Sequence, residues 1–159
     1  MTKLHNVSSF DCQNTYLNGF LQGKALREAT RDLSLTFVLM DEAVSSTSVI
    51  GYFTLRSDSY YPDDNSEVDI VPVVELVALA RDRTRYKQGI GDFLLIEALR
   101  NVKLVADLIG IAGLHLAPTR EGRRLYYRYN FAEHPLSYRT DLLFLPISTI
   151  REIIRSTEE

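Results

Sequence analysis

Between Leu79 and Asp92 the chain reads Leu-Ala-Arg-Asp-Arg-Thr-Arg-Tyr-Lys-Gln-Gly-Ile-Gly-Asp, and an apolar helical pattern follows directly. An apolar strand runs into a basic loop, the loop narrows to Gly89-x-Gly91, and a helix begins. That order brings free backbone N–H groups and the positive end of a helix dipole to one point, with cationic side chains around it, so the stretch can hold a diphosphate. Glycine matters at 89 and 91 because a phosphate approaches the backbone closely only where no Cβ intervenes. Arg83, Arg85 and Lys87 are the side chains expected to meet such phosphates; their plain alternative is a solvated basic loop.

Few other side chains suit chemistry. Glu75 interrupts an otherwise apolar strand, and an isolated carboxylate in such surroundings suits a general base near neutral pH. An outward-facing strand residue is the competing reading. His115 on a later strand is a second candidate base, although a satisfied structural histidine is the simpler assignment. Cys12, the single cysteine, reads as a small buried hydrophobe, and it excludes an internal disulfide framework. His5, His115 and His134 stand far apart with no ligand-type spacing, so no metal site is expected. Arg120, Arg123, Arg124 and Arg128 could hold substrate phosphates or simply coat a helix surface.

The elements that must position these groups follow from periodicity. Asp11 is read as an N-cap for one or two short helices reaching Arg31, with Leu17, Phe20, Leu21, Ala25 and Leu26 at helical spacing. Strands are expected at Leu33–Met40 and Val49–Leu55, with a turn over 43–48 between them. A polar, acidic loop is expected over 57–68, and a long strand over 70–80 with Pro72 tolerable near its start. A helix is expected over 91–109, with Phe93, Leu94, Ile96, Leu99, Val102 and Ala106 largely on one side. A strand at Gly113–Ala117, a helix at Glu121–Tyr129 and a strand at Leu142–Leu145 come next, and Thr149-x-x-Glu152 reads as the capping box of a last helix. Antiparallel strands followed by a βαβ crossover predict a mixed α/β (α+β) sheet with helices on both faces. No acidic residue in a second strand stands ready for a ribose, so a doubly wound dinucleotide fold is disfavoured.

At 159 residues, with 45% hydrophobic and 25% charged residues, the chain reads as one domain, 1–159. No apolar run approaches the ~20 residues a membrane span needs, the N-terminus lacks a signal-peptide core, and a cytoplasmic location is the expectation. The net charge of −3 is unevenly spread: 81–128 holds ten Lys/Arg against five Asp/Glu, and the remainder eight against sixteen. A basic centre in an acidic shell suits an anionic cofactor better than a long polyanion.

With these elements in place, the chain resembles the GNAT superfamily of acetyl-CoA-dependent N-acetyltransferases over essentially its whole length. Gly89 and Gly91 occupy the glycines of that family's Gln/Arg-x-x-Gly-x-Gly/Ala pattern, with Tyr86 where Gln or Arg is usual and Lys87 where glycine is common. Gly122-Arg-Arg-Leu-Tyr126-Tyr-Arg-Tyr-Asn130-Phe131 looks like the family segment in which a catalytic tyrosine precedes a Gly-Phe turn. Asn130 replaces that glycine, and Asn tolerates the left-handed conformation best after Gly. Ser9-Phe10-Asp11-Cys12-x-Asn14-x-x-Leu17-Asn18-x-Phe20-Leu21 is similar to the N-terminus of a subgroup containing toxins that acetylate aminoacyl-tRNA and are neutralised by ribbon-helix-helix antitoxins.

The resemblance implies a GNAT fold with a splayed fourth and fifth strand pair and direct acetyl transfer from acetyl-CoA to an amine. It implies that the backbone of Leu79 and Arg81 pairs with the pantetheine arm and acetyl carbonyl. The amides of Lys87, Gln88, Gly89, Ile90, Gly91 and Asp92 would hold the diphosphate, Tyr126 would protonate the departing thiolate, and Glu75 would relay a proton from the amine. The acceptor it favours is the α-amine of an aminoacyl-tRNA. A small amine or a protein amino group is the enzymatic alternative, and a non-catalytic CoA-binding or interaction module is the other. An antitoxin partner and a homodimer are both compatible with it.

Overall fold

The computed structural model describes residues 1–3, 5–43, 47–62, 67, 70–134 and 141–159. The expected turn over 43–48 and loop over 57–68 therefore fall partly outside the described residues. Three short helical segments open the chain: α1 (Thr15–Gly19), a π-helical turn (Phe20–Lys24) and α2 (Ala25–Thr30). The strands are β1 (Leu35–Met40), β2 (Val49–Tyr60), β3 (Val71–Arg81), β4 (Gly113–Leu116), β5 (Ala132–Glu133) and β6 (Leu143–Pro146). Helices α3 (Ile90–Leu108), α4 (Arg123–Arg128) and α5 (Ile147–Thr157) complete the chain. The six strands form one mixed sheet in the order β1-β2-β3-β4-β6-β5.

β1 and β2 pair antiparallel from Leu35↔Leu55 to Met40↔Val49. β3 and β4 run parallel, joined through α3, and pair at Val74↔Leu114 and Glu75↔His115. β3 continues to Arg81 past that short ladder, which is the splayed pair the resemblance implies. β4 with β6 and β5 with β6 are antiparallel.

The chain forms two compact units, 1–56 with 77–95, and 57–76 with 96–159. In the first, Phe10, Leu17, Phe20, Leu21 and Ala25 pack with Val49, Tyr52, Ala78 and Ala80. Tyr52 anchors this cluster: its hydroxyl donates to the Leu17 carbonyl at 2.7 Å, and burial pushes its pKa up. In the second unit Val73, Val74, Leu76, Leu114, Leu116, Leu143, Leu145, Ile150 and Ile154 are buried.

Four local expectations are corrected. The N-cap of α1 is Asn14, whose side chain accepts the Leu17 N–H at 3.0 Å; Asp11 instead accepts Gln13 N–H and Asn18 Nδ2, which holds an Asx turn ahead of the helix. β2 runs on to Tyr60 through residues that read as a loop, because the polar run 56–58 is an exposed stretch of strand and the first breaker is Pro62. α3 buries Leu94, Leu95, Ala98, Leu99 and Val102 and leaves Phe93 exposed, a stripe turned by one residue from the expected one. α5 starts at Ile147 behind Pro146 with no side-chain cap, so Thr149 and Glu152 lie inside it rather than forming a capping box. β5 was not foreseen; two residues are too few for a periodic signal.

Candidate functional site

The basic loop is held from below by one carboxylate. Asp82 donates its N–H to the Ile50 carbonyl at 2.8 Å, and its side chain accepts the N–H of Asp11 at 3.0 Å and both the N–H and hydroxyl of Thr84 at 2.9 and 2.7 Å. Arg83 N–H adds a bond to the Asp11 carbonyl at 2.9 Å. Asp82 thereby caps the short 3₁₀ turn Arg83–Arg85. Burial opposes ionisation there, but the hydrogen bonds from Asp11 and Thr84 outweigh it and hold the carboxyl below its ordinary range.

Beyond the turn the backbone enters the left-handed region twice, at Lys87 (φ 60°) and Gly89 (φ 72°), before α3 begins. The Lys87 conformation explains why glycine is common at that place in the resembling pattern. Phe93 N–H donates to the Gly89 carbonyl at 3.0 Å and closes the first turn of α3. The amides of Ile90, Gly91 and Asp92 therefore lie ahead of the i−4 ladder, at the positive end of a 19-residue helix. Gly51 on β2 admits this turn: a Cβ there would stand 3.0 Å from Leu94 Cδ1 and 3.2 Å from Ile90 Cγ2. These amides can hold a diphosphate.

The cations around the loop divide in a way the sequence did not disclose. Arg85 Nη1 lies 2.6 Å from Asp41 Oδ2, and that contact holds the Asp41 carboxyl below its usual range. Arg83 Nε lies 3.5 Å from Asp11 Oδ2. Arg81 and Lys87 gather on the Tyr86 ring, with Arg81 Cζ 4.7 Å and Lys87 Nζ 5.6 Å from its centre.

Tyr126, Glu75 and His115 lie in the second unit. Tyr126 is 6% exposed in α4, its ring edge-on to Phe131 at 5.4 Å. Burial pushes its pKa up, so the phenol stays protonated at neutral pH and has a proton to give. Asn130 adopts φ 67°, the left-handed turn its substitution for glycine suggested, and Phe131 N–H returns to the Tyr126 carbonyl at 3.2 Å.

Glu75 is not isolated. The β3–β4 register sets it beside His115, and Asp58 on β2 joins them: one ligand-type atom from each of the three lies within 4.8 Å of the others. His115 is buried, and its Nε2 lies 2.8 Å from Asp58 Oδ2. Such spacing is compatible with a metal, but no fourth carboxylate, His or Cys joins the group among the described residues. The short His–Asp contact suits a hydrogen-bonded dyad beside a carboxylate. Asp58 is not legible as a site residue in the sequence because its polar neighbours read as a loop; the absence of Gly or Pro between Gly51 and Pro62 is the signal for a continuing strand.

The remaining sequence candidates are placed more simply. Cys12 is half-buried, with Sγ 3.1 Å from Asn18 Oδ1, and burial pushes its thiol up, so it is a poor nucleophile. Arg120, Arg123, Arg124 and Arg128 are exposed.

The strand order, the short parallel ladder and the loop entering α3 are those of the GNAT acetyltransferase fold. The solved structure of AtaTR bound with AcCoA superimposes with a TM-score of 0.81 at 26% identity, covering 94% of this chain and 90% of that one. No family model matches the chain. Among curated proteins it is similar to the probable toxin TacT of Sinorhizobium fredii, 27% identical with 94% of this chain and 90% of that protein covered. It is also similar to the tRNA-acetylating toxin of Mycobacterium tuberculosis, 29% identical with 82% and 80% covered. The same fold recurs in AtaT complexed with acetyl-methionyl-tRNAfMet and in an AtaT variant bound to the C-terminus of the antitoxin AtaR, with TM-scores of 0.84 and 0.83. The chain thus has the GNAT fold, and the relatives it resembles include a tRNA-acetylating toxin. Among the described residues no helix is long and apolar enough to cross a membrane.

Proposed function

We propose that this chain, as a single transferase domain over 1–159, moves the acetyl group of acetyl-CoA directly to the α-amine of an aminoacyl-tRNA. The observation that carries the cofactor is the loop from Arg81 to Asp92, whose two left-handed residues present the first-turn amides of a long helix. The acceptor is supported by the likeness to a tRNA-acetylating toxin over most of both chains.

The amides from Lys87 to Asp92 take the diphosphate, and the backbone of Leu79 and Arg81 on β3 takes the pantetheine arm and the acetyl carbonyl. The neutral amine attacks the thioester carbon, the N–C bond forms and the C–S bond breaks. The amine proton goes to the Glu75 carboxylate, beside the His115–Asp58 dyad. Tyr126 gives its hydroxyl proton to the departing sulfur and regains one from solvent, to which Glu75 releases the amine proton. A neutralising ribbon-helix-helix antitoxin, a homodimer and a cytoplasmic location accompany this reading.

The test is transfer of labelled acetyl from acetyl-CoA to total aminoacylated tRNA, with deacylated tRNA, small amines and cell proteins as parallel acceptors. Label confined to charged tRNA is the expected result. Label on amines or proteins keeps the transferase and discards the tRNA. Cofactor binding without any transfer replaces the enzyme with a CoA-binding module.

A further inference from the structure

Asp58, Glu75 and His115 meet on three neighbouring strands, β2, β3 and β4, and they differ in access. His115 is buried, Glu75 is half-buried, and the Asp58 side chain is 39% exposed. Both oxygens of Asp58 are held: Oδ2 takes the bond from His115 Nε2 at 2.8 Å, and Oδ1 accepts the Ser59 N–H at 2.8 Å. A carboxylate has no proton to give, so the proton of the first bond sits on Nε2. His115 Nδ1 is buried and meets no hydrogen-bond partner among the described residues. An apolar side chain would fill the same place without leaving an unpaired atom in the core, so what the imidazole adds is its hold on Asp58. An ionised carboxylate accepts up to about four hydrogen bonds, and the fixed, partly exposed Asp58 keeps lone pairs for a further donor.

The reaction defines that donor. An α-amine, with an ordinary pKa of about 7.7–8.0, arrives at neutral pH mostly as an ammonium carrying three N–H groups. Glu75 can take one of them. Asp58 offers an oxygen within 4.8 Å of that of Glu75, and one nitrogen fits within hydrogen-bond reach of two oxygens so spaced. We infer that Asp58 receives a second N–H of the acceptor's α-ammonium beside Glu75, and that His115 is the positioning residue that aims it. The inference rests on the transfer to an aminoacyl α-amine proposed above. Glu75 removes one proton, and Asp58 holds the nitrogen while its freed lone pair turns to the thioester carbon. Among the described residues, the titratable groups recorded about Asp58 are Glu75 on β3 and His115 on β4, with His134 beside His115 and Tyr60 beside His134.

The experiment is labelled-acetyl transfer from acetyl-CoA to total aminoacylated tRNA, read as kcat/KM between about pH 6 and about pH 8.5, which brackets the amine's own titration. The variants of the full chain are Asp58→Asn, His115→Leu, His115→Gln and the Asp58→Asn/His115→Leu pair. Asp58→Asn keeps the side chain's shape and is expected to lower kcat/KM about ten- to a hundredfold at the acid end, the range of a hydrogen bond to a charged group. The loss should shrink towards the alkaline end, where the amine arrives neutral. His115→Leu should show the same pH-dependent loss. His115→Gln, which keeps an N–H at the Nε2 end, should recover most of it, and the double variant should lose no more than Asp58→Asn alone. Where melting shows that His115→Leu does not fold, the partly exposed Asp58→Asn carries the test. Wild-type kcat/KM in Asp58→Asn, or a loss of equal size at both ends of the pH range, overturns the inference. A wild type that moves no label to charged tRNA removes the acceptor reading, and this inference with it.

Discussion

The carboxylate of Asp82 accepts the backbone N–H of Asp11 at 3.0 Å, across 71 residues of chain. One side chain therefore ties the N-terminal segment to the root of the loop that can hold a diphosphate. The same carboxylate caps the turn Arg83–Arg85 through Thr84, so the loop and the N-terminal segment share one anchor.

Replacing Asp82 by Ala strips the N–H groups of Asp11 and Thr84 of their acceptor at once. Bonds to a charged, buried acceptor are worth about 1.5–3 kcal/mol, so the variant should lose about 2 kcal/mol of stability in urea unfolding and bind CoA more weakly. A variant as stable as the wild type would mean that the anchor is dispensable.

Gly89 has open space where a Cβ would stand, so any penalty there is conformational and not steric crowding. Gly89→Ala should cost about 1 kcal/mol, and Gly89→Asn less, because Asn tolerates positive φ. Thermal melts of the three proteins should rank Gly, Asn, Ala; the reverse order of the two variants would contradict a left-handed residue at this point.

His134 is buried against Tyr60 and Phe144, and desolvation, with His115 nearby, lowers its pKa to about 4. The unfolded chain, with a histidine pKa of about 6.5, binds more protons between those values, so this group's contribution is complete above about pH 6.5 and is lost as pH falls towards 4. Stability measured by denaturant at several pH values should decline through that window. His134→Phe keeps an aromatic ring between its neighbours and should flatten the slope; an unchanged slope would assign the effect to other groups.

Tyr126 is the proposed acid. Tyr126→Phe should reduce kcat about 10²-fold or more while leaving acetyl-CoA affinity nearly intact, since the ring and its contact with Phe131 remain. Single-turnover acetyl transfer with equilibrium binding separates the two quantities. Equal turnover would reassign Tyr126 to packing.

The loop and its flanking elements were legible because their signals are local. Gly89 after a basic run, an apolar strand before it and a periodic helix after it are properties of neighbours in sequence. So was the turn at Asn130, where the resemblance implies a glycine and Asn is the residue that tolerates φ > 0 next best. What was not legible depends on pairing between distant residues. Whether Arg83 and Arg85 are available to phosphates is decided by Asp11 and Asp41, and no local pattern reports an ion pair across the fold. Glu75 looked isolated because a strand sequence does not state its register; the β3–β4 ladder sets His115 beside it, and the extension of β2 brings Asp58 to both. The sequence by itself determined the helix entry with its amides and the presence of a helix around Tyr126, though not that helix's shorter span of Arg123–Arg128, because backbone conformation follows local residue type. Only tertiary structure decided which charges are neutralised and which carboxylate gains a histidine, because those depend on through-space distances that folding alone creates.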